Sequence, residues 1–121
     1  MFKVGQWVWF NYNKWFGKIH GKLPKIHGEQ VYLVEFAETL KHQKISEQDL
    51  HETADDMFEE QDWHKEISDD FNIVYWTEKN DLYNDVVFNL ELKDYIVHGR
   101  ASVSLHLAIH QKLIELGWVH D

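Results

Sequence analysis

The stretch EQVYLVEF, residues 29–36, decides how the first half of the chain folds. Its β-branched and aromatic residues favour a β-strand. In a strand, successive side chains point to opposite faces, so Val34 and Phe36 share one face while Val31 and Leu33 share the other. Because both faces are apolar, we predict a strand that is covered on both sides.

The residues around this strand predict a small β-rich unit. Shorter strands are expected over 6–10 and 15–20, and another near 40–45. Pro24 predicts a loop over 21–28, because proline cannot donate to the hydrogen-bond ladder of a central strand.

Strand 6–10 has the same two-sided character as strand 29–36. Val8 and Phe10 lie on one face, and Trp7 and Trp9 on the other. An uncovered tryptophan leaves about 150–250 Å² of aromatic surface in water, a cost of several kcal/mol at about 25 cal/mol per Å². We therefore expect the C-terminal half of the chain, or a second copy of it, to cover these rings.

Apolar and glycine positions follow a regular succession through residues 1–50, and residues 46–49 predict a capped helical turn before Leu50. The positions are Val4, Gly5, Val8, Phe10, Gly17, Ile19, Tyr32, Val34, Phe36, Ile45, Asp49 and Leu50. This succession resembles the SH3-like small β-barrels of the KOW and Tudor type. The resemblance implies a module that binds peptides, modified side chains, nucleic acid or a partner protein, without choosing among them.

The charge of the chain is concentrated in residues 51–70. The whole sequence has 12 basic and 21 acidic residues, a net charge of −9, and nine of the acids lie in this segment with Lys65 as its only basic residue. Such a field repels nucleic acid and anionic membranes and attracts a basic protein. We predict an acidic connecting segment, either helix or linker, whose candidate partner-binding residues are Asp55, Asp56, Glu59, Glu60, Asp62 and Trp63.

Residues 71–121 predict a β-hairpin followed by a helix. Alternating apolar residues indicate strands at 71–75 and 86–93, with a further strand expected at 95–98. The helix is predicted over 102–116, with Ser102 as N-cap and Gly117 at the C-terminal cap.

The expected architecture is α+β, with an N-terminal SH3-like small β-barrel packed on a C-terminal ββα unit. Its parts are the barrel at 1–50, the acidic segment at 51–70 and the ββα unit at 71–121, fused into one compact domain. Apolar residues lie on two nearly opposite faces of helix 102–116, which indicates that it is packed from two sides. A homodimer through this helix is therefore left open.

Two further sites are candidates on residue type. Trp7, Trp9, Tyr12 and Trp15 form an aromatic corner that could take a cation or a base. His106 and His110 have the i, i+4 spacing of helical zinc ligands, and His98, Glu115, His120 or an acid of residues 51–70 would have to complete the site. The alternative is that both histidines fill a gap between apolar faces.

Composition excludes several other classes. The sequence has no cysteine, and it lacks the serine motif of hydrolases and a glycine-rich phosphate loop. We therefore expect no enzyme and no cofactor. Because no window resembles a signal peptide or a membrane span, we expect a cytoplasmic protein. The hypothesis is a small acidic binding protein, of the inhibitor or immunity type found in bacteria, phage or mobile elements.

Overall fold

The computed structural model of the protein describes residues 1–67 and 70–119. In this part of the chain, nine strands form two antiparallel sheets, accompanied by two α-helices, so the predicted α+β class is confirmed. The chain divides into a first unit, Met1–Thr53, and a second unit that begins at Ala54. His120, a candidate ligand in the sequence analysis, and residues 68–69 of the acidic segment lie outside the described residues.

The first unit is one five-stranded sheet. Its strands are β1 (Trp7–Phe10), β2 (Trp15–Ile26), β3 (Glu29–Phe36), β4 (His42–Ser46) and β5 (Leu50–Glu52), with a 3-10 turn at Glu47–Asp49. They lie in the order β4-β3-β2-β1-β5. The end strands β4 and β5 are not paired with each other among the described residues, so the sheet is open and the predicted closed barrel is not formed.

The core of the first unit follows the predicted alternation. The fully or almost fully buried side chains of this core are Val8, Phe10, Ile19, Tyr32, Val34, Phe36, Ile45 and Leu50. Gly17 of β2 lies directly against Val34 and Phe36, where a Cβ atom would come within 2.5 Å of the Val34 Cγ1 atom. The backbone of β2 therefore packs closely on β3 at this point.

The prediction of a loop over 21–28 is wrong. β2 continues through Pro24 to Ile26, and the turn is confined to His27 and Gly28. Two irregularities in the pairing of β2 with β3 accommodate this, one between Ile19 and Gly21 and one between Leu23 and Ile26. The second spans Pro24, so the ladder does not need the backbone N–H that proline lacks.

The second unit packs two helices on one face of a four-stranded sheet. Its elements are α1 (Ala54–Glu60), β6 (His64–Ile67), β7 (Asn72–Lys79), β8 (Leu82–Asn89), β9 (Asp94–His98) and α2 (Val103–Glu115). The strands lie in the order β6-β7-β8-β9. The acidic segment is thus divided: residues 51–53 belong to the first unit, where β5 includes Glu52, and from Ala54 onward the described part forms α1 and β6 of the second unit. Neither described helix has the length and apolar character required to cross a bilayer.

The hairpin of the second unit is shifted from its predicted position. The strand expected at 86–93 instead spans Leu82–Asn89, since Asn80 and Asp81 form the tight turn with φ values of 52° and 64°. Two successive residues with positive φ give the turn type that suits a two-residue hairpin.

Helix α2 begins and ends where the sequence predicts. The Ser102 side chain accepts a hydrogen bond from the Leu105 backbone N–H at 3.0 Å. At the other end, Gly117 has a φ of 76°, and the Trp118 N–H donates to the Leu113 carbonyl at 2.9 Å. The bond from Trp118, together with the positive φ of Gly117, is typical of a Schellman motif at the C-terminus, which satisfies carbonyls that the helix leaves unpaired.

Candidate functional site

Helix α1 positions most of the predicted partner-binding residues. Phe58 is buried in the core of the second unit, so the remaining faces of this short helix carry its acids. The Ala54 backbone N–H donates to the Glu115 carboxylate of α2 at 2.7 Å. This bond satisfies one of the free N–H groups at the start of the helix, where a negative charge is also favourable.

A cleft of about 380 Å³ opens beside α1. We call it the α1 cleft, and its lining residues are Asp55, Phe58, Glu59, Trp63, His64, Lys65 and Tyr75. Its aromatic part is rigid, because Phe58 stacks on Tyr75 with ring centroids 3.8 Å apart and Trp63 meets Phe58 edge to face at 6.0 Å.

Asp55 is the centre of the polar contacts in this cleft. Its carboxylate accepts a hydrogen bond from the Tyr75 hydroxyl and one from Lys65 Nζ at 2.9 Å, and Lys112 Nζ lies 4.0 Å away. Burial alone would raise the pKa of Asp55, but these hydrogen bonds and the charge of Lys112 outweigh it and lower that pKa. Asp55 therefore remains ionised and holds α1 to β6 and β7.

Burial also shifts the pKa values of the ionisable groups near Asp55. Lys112 is only 7% exposed, with its Nζ 5.8 Å above the Tyr75 ring, and burial lowers the pKa of its ammonium group. Burial, followed by the hydrogen bond to Asp55, raises the pKa of the Tyr75 hydroxyl. Burial likewise raises the pKa of Glu115, although the Ala54 N–H and Gln111 act against it.

The other predicted acids differ in how far they are engaged. Asp62 forms an ion pair with Lys79 at 3.3 Å. Glu59 and Glu60 are exposed, and their carboxylates form no ion pair or hydrogen bond with any residue of the described ranges. Together with Asp56 they line a shallow hollow on α1. The structure thus places the predicted residues on one helix and the turn that follows it, with the half-exposed Asp55 carboxylate directed toward Tyr75 and Lys65.

The aromatic corner is distributed over both faces of the first sheet. Pairing of Phe10 with Trp15 and of Trp9 with Phe16 puts Trp15 on the core face and Trp9 on the opposite face. Trp9 is buried and donates to Asn11 at 2.6 Å, whereas Trp7 is 47% exposed.

Tyr12, the remaining ring of the aromatic corner, is 77% exposed, and it lies in the turn after β1. Binding of a cation or base at this corner stays a prediction, as does covering of Trp7 and Trp9 by the rest of the chain or a second copy.

His106 and His110 lie on the exposed side of α2, with ring centroids 6.5 Å apart. Val103 and Leu107 of the same helix are 77% and 52% exposed. Packing of the helix from two sides, with both histidines in the gap between the apolar faces, stays a prediction. Metal binding by this pair and dimerisation through α2 stay predictions.

The sequence analysis missed three residues that the first sheet brings together. His20, Glu35 and His42 come from consecutive strands, and one potential ligand atom from each lies within 4.8 Å of the others. The signal was present as polar residues on the outer positions of three successive strands. Using it required the pairing register, which the spacing of the three residues does not reveal.

Comparison of the chain with protein-family models, with curated proteins and with solved structures finds no match.

Proposed function

We propose that the protein is a binding protein that docks a basic protein partner on α1 through Glu59 and Glu60, with a lysine or arginine side chain of that partner entering the α1 cleft. The observation that carries the proposal is the pairing of two unengaged carboxylates with a rigid aromatic cleft beside them. Exposed acids speed the encounter with a basic surface, and a cationic side chain gains further from an aromatic ring.

The distribution of charge supports the same function. Asp55 is neutralised by Lys65 within the cleft, so the attraction comes from Glu59 at the cleft and from Glu60 in the adjacent hollow on α1. In a chain with a net charge of −9, this surface suits an inhibitor or immunity-type protein that covers a basic site on its target.

We further propose that the first unit is a relative of the SH3-like architecture. The strand order β4-β3-β2-β1-β5, a long β2 that pairs with two neighbours, and the 3-10 turn directly before β5 support this proposal. Such a unit would act as a scaffold or as a second binding surface, since the fold alone does not fix the activity.

The test uses a synthetic peptide with alternating lysine and glycine residues, and its acetyl-lysine version, as defined probes. We expect the charged peptide to bind at one site, with affinity that falls as salt is raised, and the acetylated peptide not to bind. Binding is followed by calorimetry. The double substitution Glu59→Lys with Glu60→Lys should weaken binding at least about tenfold, or about 1.4 kcal/mol.

The matched control reverses the charge of two exposed acids away from α1, Glu78→Lys with Glu91→Lys. It changes the net charge of the protein equally, so binding that follows net charge alone would fall by the same factor in both variants. Equal losses, or no binding of the charged peptide, would refute docking on α1.

A further inference from the structure

The outer face of the first sheet carries a cluster of two histidines and one carboxylate. Glu35 of β3 and His42 of β4 are direct cross-strand partners, so their side chains leave the sheet on the same face. His20 reaches the same carboxylate from β2 on the other side of β3. Glu35 therefore lies between two imidazoles that come from different strands.

An irregularity in β2 places His20 in this position. Ile19 pairs with Val34 and Gly21 pairs with Leu33, so His20 is an extra residue with no partner of its own in β3. A bulge of this kind redirects a side chain out of the regular ladder and is common beside functional sites. Ile19 remains in the core while His20 turns toward Glu35.

The ligand atoms are close to the spacing that one metal ion requires. His42 Nε2 lies 3.1 Å and His20 Nδ1 3.7 Å from the same oxygen, Glu35 Oε2. Zinc bonds of about 2.0–2.2 Å in a tetrahedral arrangement separate neighbouring ligand atoms by about 3.3 Å. Small side-chain rotations would bring all three atoms to one ion, and the strands need not move.

The chemistry of the three ligands selects among metals. Two neutral imidazoles and one carboxylate suit zinc and other first-row divalent ions better than calcium or magnesium, which take oxygen ligands. The side chains are partly exposed, at 54%, 36% and 43% for His20, Glu35 and His42. Three protein ligands leave a fourth position, which water can occupy.

We propose that His20, Glu35 and His42 form a Zn²⁺ site on the outer face of the first sheet, with the carboxylate as the central ligand. The site is independent of docking on α1, because none of its residues belongs to the second unit. Lys18 is the cross-strand partner of Glu35 in β2, so its ammonium group limits the affinity of the site for a cation.

The experiment titrates tag-free protein, stripped of metal with a chelator, with zinc chloride in a calorimeter. We expect one ion per chain, and a melting temperature that rises with zinc concentration because the ion binds the folded state. His20→Ala and His42→Ala should each weaken binding at least tenfold, and Glu35→Gln should do the same while keeping the shape of the side chain. Lys18→Gln should tighten binding about threefold, since it removes a nearby like charge.

The double substitution His106→Ala with His110→Ala removes the competing candidate pair on α2, and the proposal predicts that one zinc ion per chain still binds with unchanged affinity. Circular dichroism without zinc checks that each variant is folded. Three results would overturn the proposal. They are no zinc binding by the native chain, zinc binding by His20→Ala and His42→Ala that is as strong as that of the native chain, or a loss of binding seen only in the α2 variant.

Discussion

Each of the two units buries one tyrosine whose hydroxyl donates to a carboxylate, yet the two carboxylates differ in what surrounds them. In the first unit, Tyr32 donates to Glu47 at 3.0 Å, and the N-terminal amino group lies 3.4 Å from that carboxylate. In the second unit, Tyr75 donates to Asp55, which also holds Lys65 and neighbours the buried Lys112. The Glu47 carboxylate therefore has one cation beside it, the exposed N-terminal amino group, whereas the Asp55 carboxylate lies beside two lysines, of which Lys112 is buried.

The largest expected effect tests whether the two cores are otherwise equivalent. Phe36→Ala in the first unit and Phe58→Ala in the second each remove a fully buried ring. Each should lower the free energy of unfolding by about 3–5 kcal/mol, measured by urea denaturation. Tyr12→Ala removes an exposed ring and should cost far less. If one of the two core substitutions lowers the free energy of unfolding as little as this control, the two cores do not contribute equally to stability.

A smaller effect is expected at Gly17, where the first unit is closely packed. Gly17→Ala places a Cβ atom 2.5 Å from the Val34 Cγ1 atom, so the Val34 side chain or one of the two strands must shift. We expect a loss of about 2 kcal/mol by urea denaturation. Gly21→Ala in the same strand meets its nearest atom at 3.9 Å and should be nearly neutral. Equal stabilities of the two variants would contradict close packing at Gly17.

Removing the carboxylate of Asp55 or of Glu47 should have the next largest effect on stability. Asp55→Ala leaves the Tyr75 hydroxyl and the Lys112 ammonium without their partner, which should cost about 2 kcal/mol. Glu47→Ala should cost about 1 kcal/mol, because the Tyr32 hydroxyl still accepts from the Phe2 N–H at 3.1 Å. The control is Glu59→Ala, an exposed acid on α1. A cost for Asp55→Ala no greater than that of Glu59→Ala would show that charges do not support the second core.

The smallest effect is a pH dependence of the second unit. Because burial raises the pKa of Glu115 above its ordinary value of 4.5, the folded state binds a proton more readily than the unfolded chain. Its contribution to stability is therefore full below pH 4.5 and is lost as the pH rises through the higher pKa. Asp55 acts in the opposite direction, since its stabilising effect is present above its ordinary pKa of 3.8 and is lost as the pH falls through its lowered pKa.

Glu115→Gln isolates the first of these contributions, because glutamine does not titrate. Relative to this variant, the native chain should gain on the order of 1 kcal/mol or less as the pH is lowered from 7 to 4.5. Thermal melts of both proteins across this range measure the difference. A constant difference would mean that Glu115 titrates alike in both states.

Much of the fold could be predicted from local pattern. The two-residue alternation fixed strand 29–36, and capping residues fixed the ends of the last helix. Where the expectation was wrong, a longer-range contact decided the outcome. Pro24 lies in β2 because the irregularity beside it removes the need for an N–H, and Leu90 lies outside a strand because the turn at Asn80 and Asp81 sets the register.

The candidate sites were less accessible to this reasoning. The acids of α1 lie close together in sequence, so composition alone selected them as candidates, and their role in binding stays a prediction. The role of Asp55 was not visible, because its partners Lys65, Tyr75 and Lys112 come from three other elements. The cluster of His20, Glu35 and His42 depends on strand register together with one extra residue in β2.

Because His20 is an extra residue in β2, the chain could lose it without a change of strand register. Deleting His20 would let Ile19 opposite Val34 be followed directly by Gly21 opposite Leu33, which is the pairing of an uninterrupted antiparallel ladder. No residue beyond it would change face. The shorter protein should therefore fold with a flatter β2 that keeps the hydrogen bonding of the ladder and loses the histidine.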